Sequence, residues 1–305
     1  MLAGIPEPIR RRIAAIRADH RSGSVALTRR AGEALSLLAG QEPRSGEAFA
    51  AQLETSCRLL VAAQPSMAPI LNLANSVLLA VEGLRGVDDQ RAQVEPAVAA
   101  FLKGMETAGQ AISKTVAGLI KNGMTVMTHS HSETVRISLV QAAEAGCRFR
   151  VIATESRPLC EGAVLAKELG EAGIRVSLIV DAAMMLLLPE ADVALVGADA
   201  LTVRSLVNKI GTSSLALGAR KLKKEFYALA GPEKFVPGGY AFPIEMPKEA
   251  AEVLARLAPN VAVRNLYFDS TPLAWISGVV SESGILKPGA VLSRLRRIKL
   301  HPALG

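Results

Sequence analysis

At Gly123 the hydrophobic rhythm of the chain changes, and that change limits the possible folds more than any other feature of the sequence. Downstream of it, the runs MTVMT (Met124–Thr128), FRVIAT (Phe149–Thr154), RVSLIV (Arg175–Val180), DVALVG (Asp192–Gly197) and EFYALA (Glu225–Ala230) are short and almost continuously apolar. Between them, Glu133–Ala145, Cys160–Ala172, Asp181–Leu188 and Asn208–Lys223 carry apolar residues at helical spacing. Strands buried on both faces that alternate with helices predict an α/β fold with a mainly parallel sheet. Its crossovers are right-handed, so helices cover both faces. Ligands in such folds collect in the crevice beyond the carboxyl ends of the strands.

Upstream the pattern is helical throughout. Ile13–Ile16, Val25–Leu38, Gly46–Ala63, Ile70–Leu84 and Gln90–Lys121 place apolar residues three and four apart, with breaks at Gly40–Pro43, Gln64–Pro65 and Gly86–Asp88. The sequence therefore divides into a helical domain over 1–121 and a sheet-containing domain over 122–305. Apolar residues make up 50% of the 305 and charged ones 21%, which excludes a disordered chain. The apolar runs fall short of the ~20 residues of a membrane span. The first residues, MLAGIPEPIRRR, hold no apolar stretch of leader length, so a cytoplasmic location is expected.

The net charge of +7 is spread over short clusters such as Arg10–Arg12 and Arg294–Lys299, without interleaved aromatic residues on which bases could stack. That argues against nucleic acid as the main partner and leaves anionic small molecules. Cys57, Cys147 and Cys160 have neither the number nor the spacing for a disulfide framework or a zinc site. His129 and His131, one residue apart, have a spacing that could ligate metal, but no set of Cys, Asp or Glu at ligand spacing completes a site. No metal or cofactor is expected.

The strand ends hold the chemistry. His129-Ser130-His131-Ser132-Glu133-Thr134 follows the first strand and Glu155-Ser156-Arg157-Pro158 the second; Asp181 closes the third and Gly197-Ala198-Asp199 the fourth. Asn208-Lys209-Ile210-Gly211-Thr212 opens the helix expected after that. Helix N-termini favour anions, and Ser130, Ser132, Gly211 and Thr212 are small enough to admit a phosphate. Arg157 and Lys209 add full positive charge. Ser132 or Thr134 is expected to cap the helix behind it, and Asp181 to cap its own. Asp199, behind an apolar strand, is a carboxylate whose burial is costly unless it is paired or working.

These turns, in this order, resemble a known superfamily. TESRPLCEGAVLAKELGEAGIRVSLIVDAAMMLLLPEADVALVGADAL followed by VNKIGT is similar to the one that unites methylthioribose-1-phosphate isomerases, ribose-1,5-bisphosphate isomerases and the α, β and δ subunits of eukaryotic initiation factor 2B. THSHS and FDSTPLAWISGVVSESGIL resemble further motifs of that family. The resemblance implies an N-terminal helical domain on a Rossmann-like domain, a homodimer or higher homo-oligomer, and a pocket for a phosphorylated pentose. Position by position, it implies that Arg157, Asn208, Lys209 and Lys234 bind phosphate or sugar hydroxyls, with Arg21 and Gly23 as further contacts. Asp199 would be the general acid/base.

In the isomerases that carboxylate works with a cysteine in a T-H-C motif; here Ser130 stands in its place, and Gln64 stands where an arginine is usual. An alcohol is a far weaker acid than a thiol and needs an adjacent base. An aldose–ketose isomerase with Asp199 and Ser130, or a neighbouring histidine, as its proton carriers is one expectation. A non-catalytic regulatory protein of initiation-factor-2B type that binds a phosphorylated sugar or nucleotide is the other. A phosphosugar-binding protein with another chemistry is a third.

Overall fold

The computed structural model describes residues 4–19, 22–43, 45–244, 248–256 and 258–305. Helices α1 (Glu7–Ala18), α2 (Ser24–Ala39), α3 (Gly46–Ala63), α4 (Ala68–Val81) and α5 (Val87–Leu119) occupy the region where helical spacing predicted them. Each turns an apolar stripe inward: Ile9, Ile13 and Ile16 from α1, Leu27, Leu35 and Leu38 from α2, Phe49, Leu53 and Leu60 from α3. The Ser45 hydroxyl accepts from Ala48 N (3.2 Å) and starts α3. α5 is long enough to serve two cores. Its Val94 and Val98 join the helical cluster, whereas Ile112 and Val116 pack under the sheet.

Among the described residues the main sheet has seven strands in the order β10-β9-β7-β4-β1-β2-β3. They are β1 (Thr125–Thr128), β2 (Arg150–Thr154), β3 (Arg175–Ile179), β4 (Val193–Val196), β7 (Glu225–Leu229), β9 (Gly278–Ser281) and β10 (Gly284–Leu286). All neighbours pair in parallel except the terminal β9–β10 hairpin. The five apolar runs of the sequence are β1, β2, β3, β4 and β7. Between them lie α6 (Glu133–Glu144), α7 (Glu161–Glu171), the single turn α8 (Met184–Leu187) and α9 (Thr212–Lys221), with α10 (Pro288–Leu295) at the C-terminal end. The fold is thus α/β with a helical N-terminal part and a mainly parallel sheet.

A second sheet was not foreseen. β5 (Ala200–Leu201), β6 (Ser205–Lys209) and β8 (Phe268–Pro272) form an antiparallel ribbon in the order β5-β6-β8. Asn208 and Lys209, expected to open a helix, are instead the last residues of β6, and α9 begins at Thr212. The ribbon joins the two halves. Ala200 and Val207 pack into the core of the N-terminal helices, while Leu201 and Leu206 pack into the core under the main sheet. It therefore holds the residues at its ends between the helical layer and the strand ends.

Candidate functional site

The first two loops of the crevice are tightly wound. Ser130 after β1, and Ser156 and Cys160 after β2, all adopt left-handed backbone with φ of 69°, 64° and 57°. Non-glycine residues held in that region concentrate at functional sites. Hydrogen bonds fix them: Ser130 N donates to Ser156 Oγ (2.7 Å), and Ser156 Oγ lies 3.0 Å from Thr154 Oγ1. Thr154 Oγ1 in turn lies 2.6 Å from His129 Nδ1, and His129 Nε2 lies 2.7 Å from Ile210 O. A carbonyl only accepts, so Nε2 carries the ring proton and Nδ1 accepts from Thr154. Burial pushes the His129 pKa down, against the Ile210 bond that raises it, so the ring stays neutral. Both nitrogens are engaged; His129 clamps β1 to the β6–α9 turn and is not free to move protons. His131 is turned to α7, with Nε2 2.9 Å from Glu168 Oε2.

Asp199 sits between β4 and β5, its backbone N donating to Val207 O (3.0 Å), which sets it beside the end of β6 that carries Asn208 and Lys209. Its carboxyl makes no hydrogen bond among the described residues. Protein crowds it, yet part of its surface stays open. Burial pushes its pKa above the ordinary range, opposed by the charges of Lys234 and Lys209 and reinforced by Glu161. An acid raised in this way holds a proton it can give.

Lys209 is buried, with Nζ 2.5 Å from Glu161 Oε1 and 4.7 Å from the centre of the Tyr267 ring. Lys234 is buried too, and its Nζ donates to Ser24 Oγ (2.7 Å), which brings the N-terminus of α2 to the crevice. Gly23 precedes that helix, and no side chain caps it. The start of α2 thus lies next to the Lys234 ammonium, and the positive end of a helix dipole favours negative charge. Arg21 lies outside the described residues. Gln64, the residue without the expected charge, donates from Nε2 to Ile16 O (2.7 Å) and Asp19 O (2.9 Å) and so holds the turn before α2.

Arg157 is exposed, its guanidinium 3.5 Å from Val253 O, and among the described residues it makes no hydrogen bond or ion pair with Asp199 or Lys209. One expectation is corrected. Asp181 does not cap its own helical turn; its carboxylate accepts from Ser156 N (2.8 Å) and Arg157 N (2.7 Å) and so braces the β2 loop. Ser132 does cap α6, accepting from Val135 N (3.4 Å).

The phosphate-like position at α9 is also taken. Asp269 of β8 accepts from Gly211 N (2.8 Å), Ser213 N (3.0 Å) and Ser213 Oγ (2.7 Å), so the start of that helix carries the protein's own anion. Asn208 is buried and donates to Thr212 Oγ1 (3.0 Å). Concave regions of about 560 Å³ between α2 and α5 and about 390 Å³ beside Glu233 include none of Asp199, Lys209 and Ser130. No cluster of three metal-ligating side chains occurs among the described residues, and no helix there is long and apolar enough to cross a membrane.

Sequence reasoning gave no role to Glu161 or Asp269. Glu161 reads as an ordinary acid in the first turn of a helix, and only its distance to Lys209 marks it. Asp269 stood in the FDSTP segment but gave no hint of its partner 56 residues upstream.

Comparison with known proteins adds to this geometry. The model of the initiation factor 2 subunit family matches residues 20–288. A ribose 1,5-bisphosphate isomerase of Archaeoglobus fulgidus is 36% identical over 279 residues, which is 90% of this chain and 88% of that protein. A putative translation initiation factor eIF-2B subunit 2-like protein of Pyrococcus horikoshii is also 36% identical, over 230 residues, 75% of this chain and 79% of that one. The crystal structure of the Pyrococcus horikoshii OT3 translation initiation factor eIF-2B superimposes with a TM-score of 0.81 at 32% identity, covering 93% of this chain and 98% of that chain.

Proposed function

The chain belongs to the initiation factor 2 subunit family, and from that premise we propose that it is an aldose–ketose isomerase acting on a phosphorylated pentose, with ribose 1,5-bisphosphate as the first substrate to try. The observation that carries the reading is Asp199, a carboxyl with raised pKa set within electrostatic reach of Lys209 and Lys234 beyond the strand ends. Lys234 and the start of α2 bind one phosphate. Asn208, Lys209 and Arg157 serve the sugar hydroxyls and the far phosphate once Lys209 exchanges Glu161 for substrate. Protonated Asp199 gives its proton to the ring oxygen, and Ser130 contacts the sugar where the thiol of other isomerases stands. Residues 1–121 and 122–305 act as two domains that meet at this crevice, in a cytoplasmic homodimer or larger homo-oligomer.

The test is direct. Purified protein mixed with ribose 1,5-bisphosphate forms the 2-ketose, followed by ³¹P and ¹³C NMR. Asp199→Asn lowers kcat by about 10³-fold, within the range for loss of an acid–base group, while ligand affinity stays within a few-fold. Absence of ketose with the native protein overturns the reading.

The serine at 130, together with the likeness to the Pyrococcus eIF-2B subunit 2-like protein, favours a second reading: a regulator that binds the sugar phosphate without converting it. Calorimetric binding with no turnover, and co-purification with a second protein, would establish it.

A further inference from the structure

Moving a hydrogen from C2 to C1 of a sugar requires two proton carriers, one for the oxygens and one for the carbons. Asp199 serves the oxygens in the function proposed above, on which this inference rests. Nothing at the end of β1 serves the carbons. The Ser130 hydroxyl has no hydrogen-bonded base among the described residues, the nitrogens of His129 are both engaged, and His131 faces Glu168. An alcohol without a base does not remove a proton from carbon.

Glu161 has what Ser130 lacks. It is the first residue of α7, and its Oε1 is tied at 2.5 Å to Lys209, which acts on Asp199 as well. Its other oxygen, Oε2, is buried and has no hydrogen-bond partner among the described residues. A buried, unsatisfied carboxylate oxygen is costly to a fold and calls for an explanation. Its backbone is rigidly placed, because a Cβ on the adjacent Gly162 would come 1.8 Å from Thr154 O; the start of α7 is pressed against the end of β2. The Glu161 charge also acts on Asp199. Two carboxyls in one crevice, one favoured in its acid form and the other ion-paired, are the arrangement from which acid and base roles divide.

We infer that Glu161 is the second proton carrier of the site, with Oε2 as the base that takes the proton from C2 and returns it to C1. The steps balance. Asp199 protonates the ring oxygen as the C1–O bond breaks. The C2–H electron pair forms the C1=C2 bond of an enol phosphate as Glu161 takes the proton. Glu161 then delivers that proton to C1 while the C2 hydroxyl proton passes to Asp199, leaving the ketone at C2. Both carboxyls end as they began, and no oxidant or reductant is needed.

The alternative is that Glu161 is merely the counter-ion of Lys209. Glu161→Gln and Glu161→Asp, checked for a native melting transition, separate the two with ribose 1,5-bisphosphate as the probe. The inference expects Glu161→Gln to lose at least 100-fold in kcat with KM within threefold, and Glu161→Asp to keep at least tenfold more kcat than Glu161→Gln. A kcat within threefold of native, a change confined to KM, or equal loss in both variants overturns it and leaves the isomerase reading standing. If the native protein itself forms no ketose, both fall.

Discussion

Asp199 is held where its charge is disfavoured, burial being the largest cause. Its folded-state pKa is raised, so the folded chain holds this proton to a higher pH than the unfolded chain does. By linkage the group subtracts stability as pH rises from the ordinary carboxylate range through its raised value, and subtracts nothing below that range. Asp199→Asn removes the penalty along with the acid. The variant should therefore melt higher than the native protein at pH 8, by roughly 2 °C for each kcal/mol recovered in a chain of this length, and the gap should close toward pH 4. Differential scanning calorimetry across that range checks it. A variant less stable than native at pH 8 would mean that the attraction of Lys209 and Lys234 outweighs burial.

At the level of elements, the site depends on a short antiparallel ribbon clipped to a helix. β6 and β8 are in a register that sets Asn208 opposite Asp269, and Asp269 reaches on to the first turn of α9. Asp269→Ala frees the Gly211 and Ser213 N–H groups, and loss of such a cap costs about 1–2 kcal/mol. Thermal unfolding should show this, and affinity for ribose 1,5-bisphosphate should fall with it, because Lys209 ends the strand that Asp269 anchors. Unchanged affinity would mean that β6 is held by its ladder alone. The ribbon is also where the sequence was least readable. β1, β2, β3, β4 and β7 stand out because they are continuous apolar runs between helical segments. β6 (SLVNK) and β8 (FDSTP) are half polar, and their pairing crosses some sixty residues of sequence, so no local pattern announces them. Asp199 was legible because a carboxylate behind an apolar strand is costly; Lys209 was legible as a charge but was placed on the wrong element; Glu161, whose meaning lies entirely in a contact with Lys209, was not legible at all.

On the scale of the whole molecule, one edge of the sheet is unfinished. β3 is the last strand at that side, and Leu178, with Val180 just beyond the strand, is about half exposed (49% and 55%). Val164 of α7, Met185 and Leu186 of α8, and Leu217 of α9 are exposed as well, with Leu186 at 77%. A free apolar strand edge is a hazard that proteins normally blunt with charge, proline or a covering element. Here no described residue covers it, and a second copy of the same chain, paired about a twofold axis, would close it without leaving a new edge. The native protein should therefore run as a multiple of 32.1 kDa in light scattering, and Leu178→Glu with Leu186→Glu should reduce it to one. The dissociated variant should also lose activity, since β3 runs directly into Asp181, whose carboxylate holds the Ser156 and Arg157 amides of the crevice loop. A monomeric native protein would show that the exposed strip serves another surface, and a dissociated variant with full activity would show that the crevice is set by each chain alone.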